Sequence, residues 1–126
     1  MNDIRVKAIE EIEPYTGEYA LPGIRFRYAG KALEVSAWGM NVIELDPNID
    51  AYPEHDHASD GQEEVYVVLR GSARIVVGET STTVHAGDMI RVGPSARRKF
   101  VTEDEGVSLL ALGGTPGKAY TPSWGG

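Results

Sequence analysis

Tyr52-Pro53-Glu54-His55-Asp56-His57-Ala58-Ser59-Asp60-Gly61-Gln62-Glu63-Glu64 runs directly into Val65-Tyr66-Val67-Val68-Leu69-Arg70-Gly71. Two histidines stand two residues apart. On extended backbone, residues i and i+2 project from the same face with Cα atoms about 6–7 Å apart, so both imidazoles can converge on one ion. A polar loop, Ser59 to Gln62, then delivers a carboxylate at the head of an apolar strand. Two imidazoles and one carboxylate with coordination positions left open is an arrangement used for non-haem iron and related divalent ions. The competing reading of the same residues is a solvated acidic loop.

The segments on either side carry the marks of an all-β domain. Fifteen glycines and seven prolines are scattered between short β-branched runs and are not pooled in a linker. The pattern predicts strands at Ile24–Tyr28, Ala32–Ala37, Asn41–Leu45, Glu64–Leu69, Ala73–Val77, Thr82–His85, Met89–Val92, Arg98–Thr102 and Ser108–Leu112. Arg70-Gly71-Ser72, Val77-Gly78-Glu79 and Ala86-Gly87-Asp88 read as turns between hairpins in series. One short helix is expected at Lys7–Glu13, where Ile9 and Ile12 are three apart, and Pro14 stops it. Spacing of this kind suits a sandwich or small barrel. The Gly- and Pro-rich residues 113–126 are a tail that Tyr120 and Trp124 would pin to the body.

Composition narrows the functional classes. The 126 residues fit one domain, spanning 1–126 with its core at about 40–112. No run approaches the roughly 18 apolar residues of a membrane span. Met1 to Lys7 lack the apolar block of a secretory signal, so the expected location is the cytoplasm. With no cysteine, any metal must be held by His, Asp or Glu, and there are three histidines. A net charge of −7 offers no broad basic face for nucleic acid. Motifs for serine hydrolases, phosphate-binding loops and dinucleotide binding are missing.

From about residue 40 to 112 the chain resembles the cupin superfamily. Its first motif, HxH, a gap, then Glu, six residues and Gly, is matched by His55, His57, Glu64 and Gly71. Its second, a Gly-Asp, a strand, a Pro-containing turn and a return strand, is matched by Gly87 to Arg98. The resemblance implies a jelly-roll barrel of two antiparallel sheets with the site inside it. It also implies a divalent metal (iron, manganese, nickel or zinc) on His55, His57 and Glu64, and pairing as a homodimer. Family activities run from dioxygenases and isomerases to non-enzymatic binding proteins, so the fold does not choose the reaction. A metalloenzyme and a binding protein without metal both remain open, as does the ligand, expected to be a small polar or anionic molecule.

Three departures from the family pattern bear on the site. Six residues separate His57 from Glu64 where three or four are usual, which leaves Glu63 as a rival to Glu64. Ser95 stands where the turn usually has glycine. The third histidine of the family falls on Arg98, whose guanidinium has no lone pair to give a metal. Arg98 could point inward and pair with the acid, reach past the site to clamp an anionic ligand, or lie with Arg97 and Lys99 on a solvated edge. Arg98 and Tyr66 are the expected ligand-binding residues. His85 reads as a surface residue; Phe26, Tyr28, Trp38, Tyr66 and Phe100, on or beside predicted strands, read as core or partner contacts, with pocket lining as the alternative.

Overall fold

The computed structural model describes residues 3–122. Seven strands build the chain: β1 (Ile24–Arg27), β2 (Gly39–Leu45), β3 (Glu63–Val77), β4 (Thr80–His85), β5 (Met89–Val92), β6 (Arg98–Val101) and β7 (Val107–Gly114). All pairings are antiparallel. The first sheet runs β1-β2-β7-β3-β5, and the second sets the far half of β3 between β4 and β6. Leu45, Tyr66, Val68, Ile75, Phe100 and Leu109 fill the space between the sheets, each at most 7% exposed. This is the jelly roll expected from the sequence.

The strand that carries the acid is where expectation and structure differ most usefully. Residues 64–69 and 73–77 were expected as two strands joined by a turn at Gly71; they form one strand of 15 residues that passes from the first sheet into the second. Val68 pairs with Leu109 and Arg70 with Ser108, so one extra residue is inserted at this point. A bulge of this kind exchanges the two faces of a strand. Hence Glu64, Tyr66 and Val68 point inward before it, and Ala73 and Ile75 after it. Gly71 sits just past the bulge at φ +79, with no room for a Cβ against the carbonyl of Gly106. Gly71→Ala is expected to lower stability by about 2–3 kcal/mol through left-handed strain and crowding, measured as a shift in urea midpoint.

Two other expectations are corrected. The strand foreseen at Ala32–Ala37 is instead a short helix, α1 (Ala29–Leu33), closed by Glu34 at φ 59. Ala, Lys and Leu favour helix, and the backbone N–H of Val35 closes the turn on the Gly30 carbonyl at 2.8 Å. The helix foreseen at Lys7–Glu13 shrinks to one 3-10 turn, Ile9–Glu11. That segment is held to the outside of the first sheet by packing of Ile12 with Ala29 and Val42, and by Arg27, which donates to the Ile12 carbonyl at 2.6 Å. The hairpin at Gly78-Glu79 forms as expected, with Val77 opposite Thr80. The Gly87 turn carries the chain from one sheet to the other, because β4 and β5 pair with different halves of β3.

Candidate metal centre

The segment bearing the two histidines is stitched to the start of β6. Backbone bonds join His55 and Arg98 in both directions at 3.0 and 2.9 Å, and the His57 N–H donates to the Pro94 carbonyl at 2.8 Å. The unusually long gap before Glu64 folds on itself. The Asp56 and Asp60 carboxylates accept the N–H groups of Ala58 and Gln62, both at 3.0 Å, and Gly61 at φ +71 turns the chain back. The folded loop brings Glu64 beside both imidazoles.

His55 Nε2 lies 3.7 Å and His57 Nε2 3.5 Å from Glu64 Oε1. Ligand atoms of the three residues all fall within 4.8 Å of one another, the one such group among the described residues. The orientation of each ring is set from behind. His55 Nδ1 lies 3.1 Å from the Pro53 carbonyl and His57 Nδ1 3.3 Å from Asp60 Oδ2. A carbonyl or carboxylate only accepts, so in each case Nδ1 carries the proton and Nε2 of the neutral ring presents a lone pair inward. Two lone pairs and a carboxylate facing one another form a donor set that a cation can occupy. The donor set suits a divalent ion that accepts mixed nitrogen and oxygen ligands.

Glu63, the rival acid, faces outward and pairs with Arg91 on the surface. Arg98 points inward: it is fully buried and pairs with Glu64 Oε1 while its Nη1 donates to the Ala96 carbonyl at 2.8 Å. Of the three orientations the sequence allows, the ion pair is the one observed, and Arg98 does not line the site cavity. Its Nε is buried without a partner. Tyr66, 1% exposed, also donates to Glu64 Oε1, at 2.7 Å. The hydrogen bonds reaching Glu64 from the described residues thus converge on Oε1, the same oxygen that the two imidazoles approach. His85 lies apart from this group, exposed beside Asp88.

These contacts set the charge states. Burial works to raise the Glu64 carboxyl, but the His55 ring in its protonated form, the Tyr66 hydroxyl and the Arg98 guanidinium overcome it and hold the group down at about 2. The nearby Glu64 oxygen raises His55 above its ordinary value against the opposing effect of burial. Burial pushes the Tyr52 hydroxyl up to about 12 and Tyr66 up further, so both stay protonated donors. The two shifts that involve Glu64 and His55 act on opposite sides of the pH scale. Glu64's contribution to stability is present above its unfolded value near 4.5 and is lost as pH falls toward 2. His55's is present below 6.5 and is lost as pH rises through its higher folded value. In the metal-free protein, the His55 ring resonances should titrate above pH 6.5 by NMR, and Glu64→Gln should bring that midpoint down.

A cavity of about 410 Å³ opens onto the three residues, with Tyr66, Asn41 and Gln62 in its wall. Tyr120, from the tail, reaches it beside Gly39; Trp124, the other anchor expected there, lies outside the described residues. Phe26 and Tyr28 also line this cavity, so the pocket alternative holds for both. A second cavity, of about 270 Å³, adjoins it and is walled by Tyr15, Tyr19 and Leu21. That wall comes from the segment before β1, to which the sequence reading assigned no role. The one sequence signal for it is the density of aromatic residues from Tyr15 to Tyr28.

Comparison with known proteins agrees with this architecture. No curated protein matches the chain. Among solved structures, it superposes on a Cupin 2 conserved barrel domain protein from Salinispora arenicola with a TM-score of 0.72 and 18% identity, covering 91% of this chain and 92% of that one. A sugar phosphate isomerase of the cupin superfamily from Silicibacter pomeroyi gives a TM-score of 0.72 at 18% identity, covering 94% of this chain and 76% of that one. The polyketide cyclase RemF from Streptomyces resistomycificus also gives 0.72, at 15% identity, covering 97% and 88%. Identities this low establish a shared fold and leave the reaction undetermined. The cupin domain model matches residues 41–113, more than half of the chain, from within β2 to within β7, and the chain therefore belongs to the cupin domain family.

Proposed function

We propose that the protein holds one divalent metal ion through His55, His57 and Glu64, and presents it to a small molecule in the adjoining cavity. The observation that carries this reading is the inward convergence of two Nε2 atoms, each with its Nδ1 engaged from behind, on a carboxylate held ionised. Iron, manganese, nickel and zinc all suit the donor set. When bound, such an ion would supply Lewis-acid or oxygen-activating chemistry to an isomerase or oxygenase reaction. Arg98 and Tyr66 fix Glu64 from the buried side; Arg98 is covered and lies outside the cavity lining, whereas Tyr66 lines the cavity and its hydroxyl, donating to Glu64, keeps a lone pair to accept from a ligand. A homodimer is part of the proposal, since Leu69 and Met89 leave apolar surface exposed on the first sheet. Elemental analysis of protein purified without a histidine tag tests the metal directly. Close to one ion per chain is expected; metal-free protein that takes up none of the four ions on dialysis would refute the proposal.

The Arg98–Glu64 pair favours a second reading. A guanidinium on the acid already supplies a positive charge where the family has a third metal-binding histidine. In that case the cavity serves a non-catalytic small-molecule-binding cupin. Metal content of the natural protein beside that of Arg98→His separates the two readings.

A further inference from the structure

The two cavities share Phe26, Tyr28, Tyr52 and His55 and so form adjoining parts of one binding region. Their sizes together suit a ligand of two or three rings. The smaller part is bounded almost wholly by aromatic and aliphatic side chains, whereas polar groups belong to the larger part, around His57, Glu64 and Gln62. The rings stand edge to face: Tyr15 and Tyr28 have centroids 6.2 Å apart at 74°, and Phe26 and Tyr28 5.3 Å apart at 72°. Such rings offer both faces and edges to another flat ring.

Charge selects further. Among the described residues, no lysine or arginine lines either cavity. Arg98, the guanidinium that reaches the metal-ligand group, is completely covered and paired with Glu64. An entering phosphate would lose its water, meet the ionised Glu64, and find no lysine or arginine to replace its hydration.

We infer that the ligand is an uncharged, flat aromatic molecule bearing a hydroxyl or carbonyl oxygen. Its rings lie against Phe26, Tyr28 and the segment containing Tyr19 and Leu21, and its oxygen faces His55, His57 and Glu64. This names the substrate class for the proposed site, and it rests on that reading for the oxygen end alone. The sugar phosphates handled by an isomerase of the same fold are the class it excludes.

Calorimetric titration with 2-naphthol and with ribose 5-phosphate, on protein stripped with a chelator and on protein reloaded with zinc, tests the inference. The naphthol should bind the stripped protein at least about tenfold more tightly than the sugar phosphate. Leu21→Asp, on the surface segment and outside the packed core, should weaken the naphthol at least about tenfold, and the milder Tyr19→Ser should weaken it less, with circular dichroism unchanged in both. Sugar phosphate binding as tight as the naphthol, no saturable naphthol binding, or indifference to both substitutions overturns the inference. If zinc is not taken up but the naphthol still binds, the metal reading fails alone. If zinc is taken up and the naphthol does not bind, the substrate class fails alone.

Discussion

Glu64→Ala should destabilise the protein by about 3–5 kcal/mol, because it leaves the Arg98 guanidinium buried and without its counter-ion. Arg98 is 0% exposed, and its Nε already lacks a partner. Without Glu64, only the Nη1 bond to the Ala96 carbonyl remains of the contacts that satisfy it, and the Tyr66 hydroxyl loses its acceptor as well. A loss of this size is a large fraction of the roughly 5–15 kcal/mol that holds a domain together. The double variant Glu64→Leu with Arg98→Met removes both charges and keeps most of the volume, and it should recover most of the loss, since apolar replacement of a buried pair is often neutral. Urea denaturation of Glu64→Leu, Arg98→Met and the double variant, beside Glu64→Ala, measures the cycle. A single-variant loss below about 1 kcal/mol would mean that water reaches the guanidinium and that the pair does not act as a buried one.

The same pair shows how far the sequence could be read. His55 and His57 were legible from strand alternation, a local property, and Glu64 from its distance to Gly71 in the cupin pattern, and the structure brings all three together. Alternation alone could not choose between Glu63 and Glu64. Val65, Val67 and Leu69 make the more apolar face, yet that face is the outer one, and the choice is settled by packing of Tyr66 and Val68 against Phe100 and Leu109 in the core. Gly71 was legible as a position needing left-handed backbone. That it marks a bulge within one strand and not a reversal depends on β7 and β4, pairing partners distant in sequence. Residues 32–37 mix good helix formers with Val35, so local propensity did not decide, and the return of Val35 to the Gly30 carbonyl did. Arg98 could be read as unable to ligate a metal, from its chemistry, but its inward direction follows from the pairing of β6 with β3, which puts Arg98 and Phe100 on the buried face.

Removing the two imidazoles should have the largest effect on the site itself. In the variant with His55→Ala and His57→Ala, the one remaining ligand of the three is Glu64, and metal affinity should fall by well over about a hundredfold, beyond what loss of an outer hydrogen-bonding partner produces. The fold should survive, since both side chains are partly exposed and the core does not include them. Arg98→His acts in the opposite direction. It withdraws a positive charge from Glu64 and offers a nitrogen donor at the position where the family carries its third histidine, so metal should bind at least about tenfold more tightly than in the natural protein. The same substitution removes one of the hydrogen bonds that hold Glu64 near 2, so the acid should need a higher pH before it releases its proton to bind metal. Metal per chain, by elemental analysis after dialysis against limiting zinc, separates the two readings of the site. Stoichiometric metal in the natural protein that the double histidine variant abolishes places the ion on three ligands, with Arg98 as the group that positions Glu64. Metal that enters only after Arg98→His shows the guanidinium to be the site's resident cation, and the cavity is then a binding pocket whose chemistry is that of its aromatic walls.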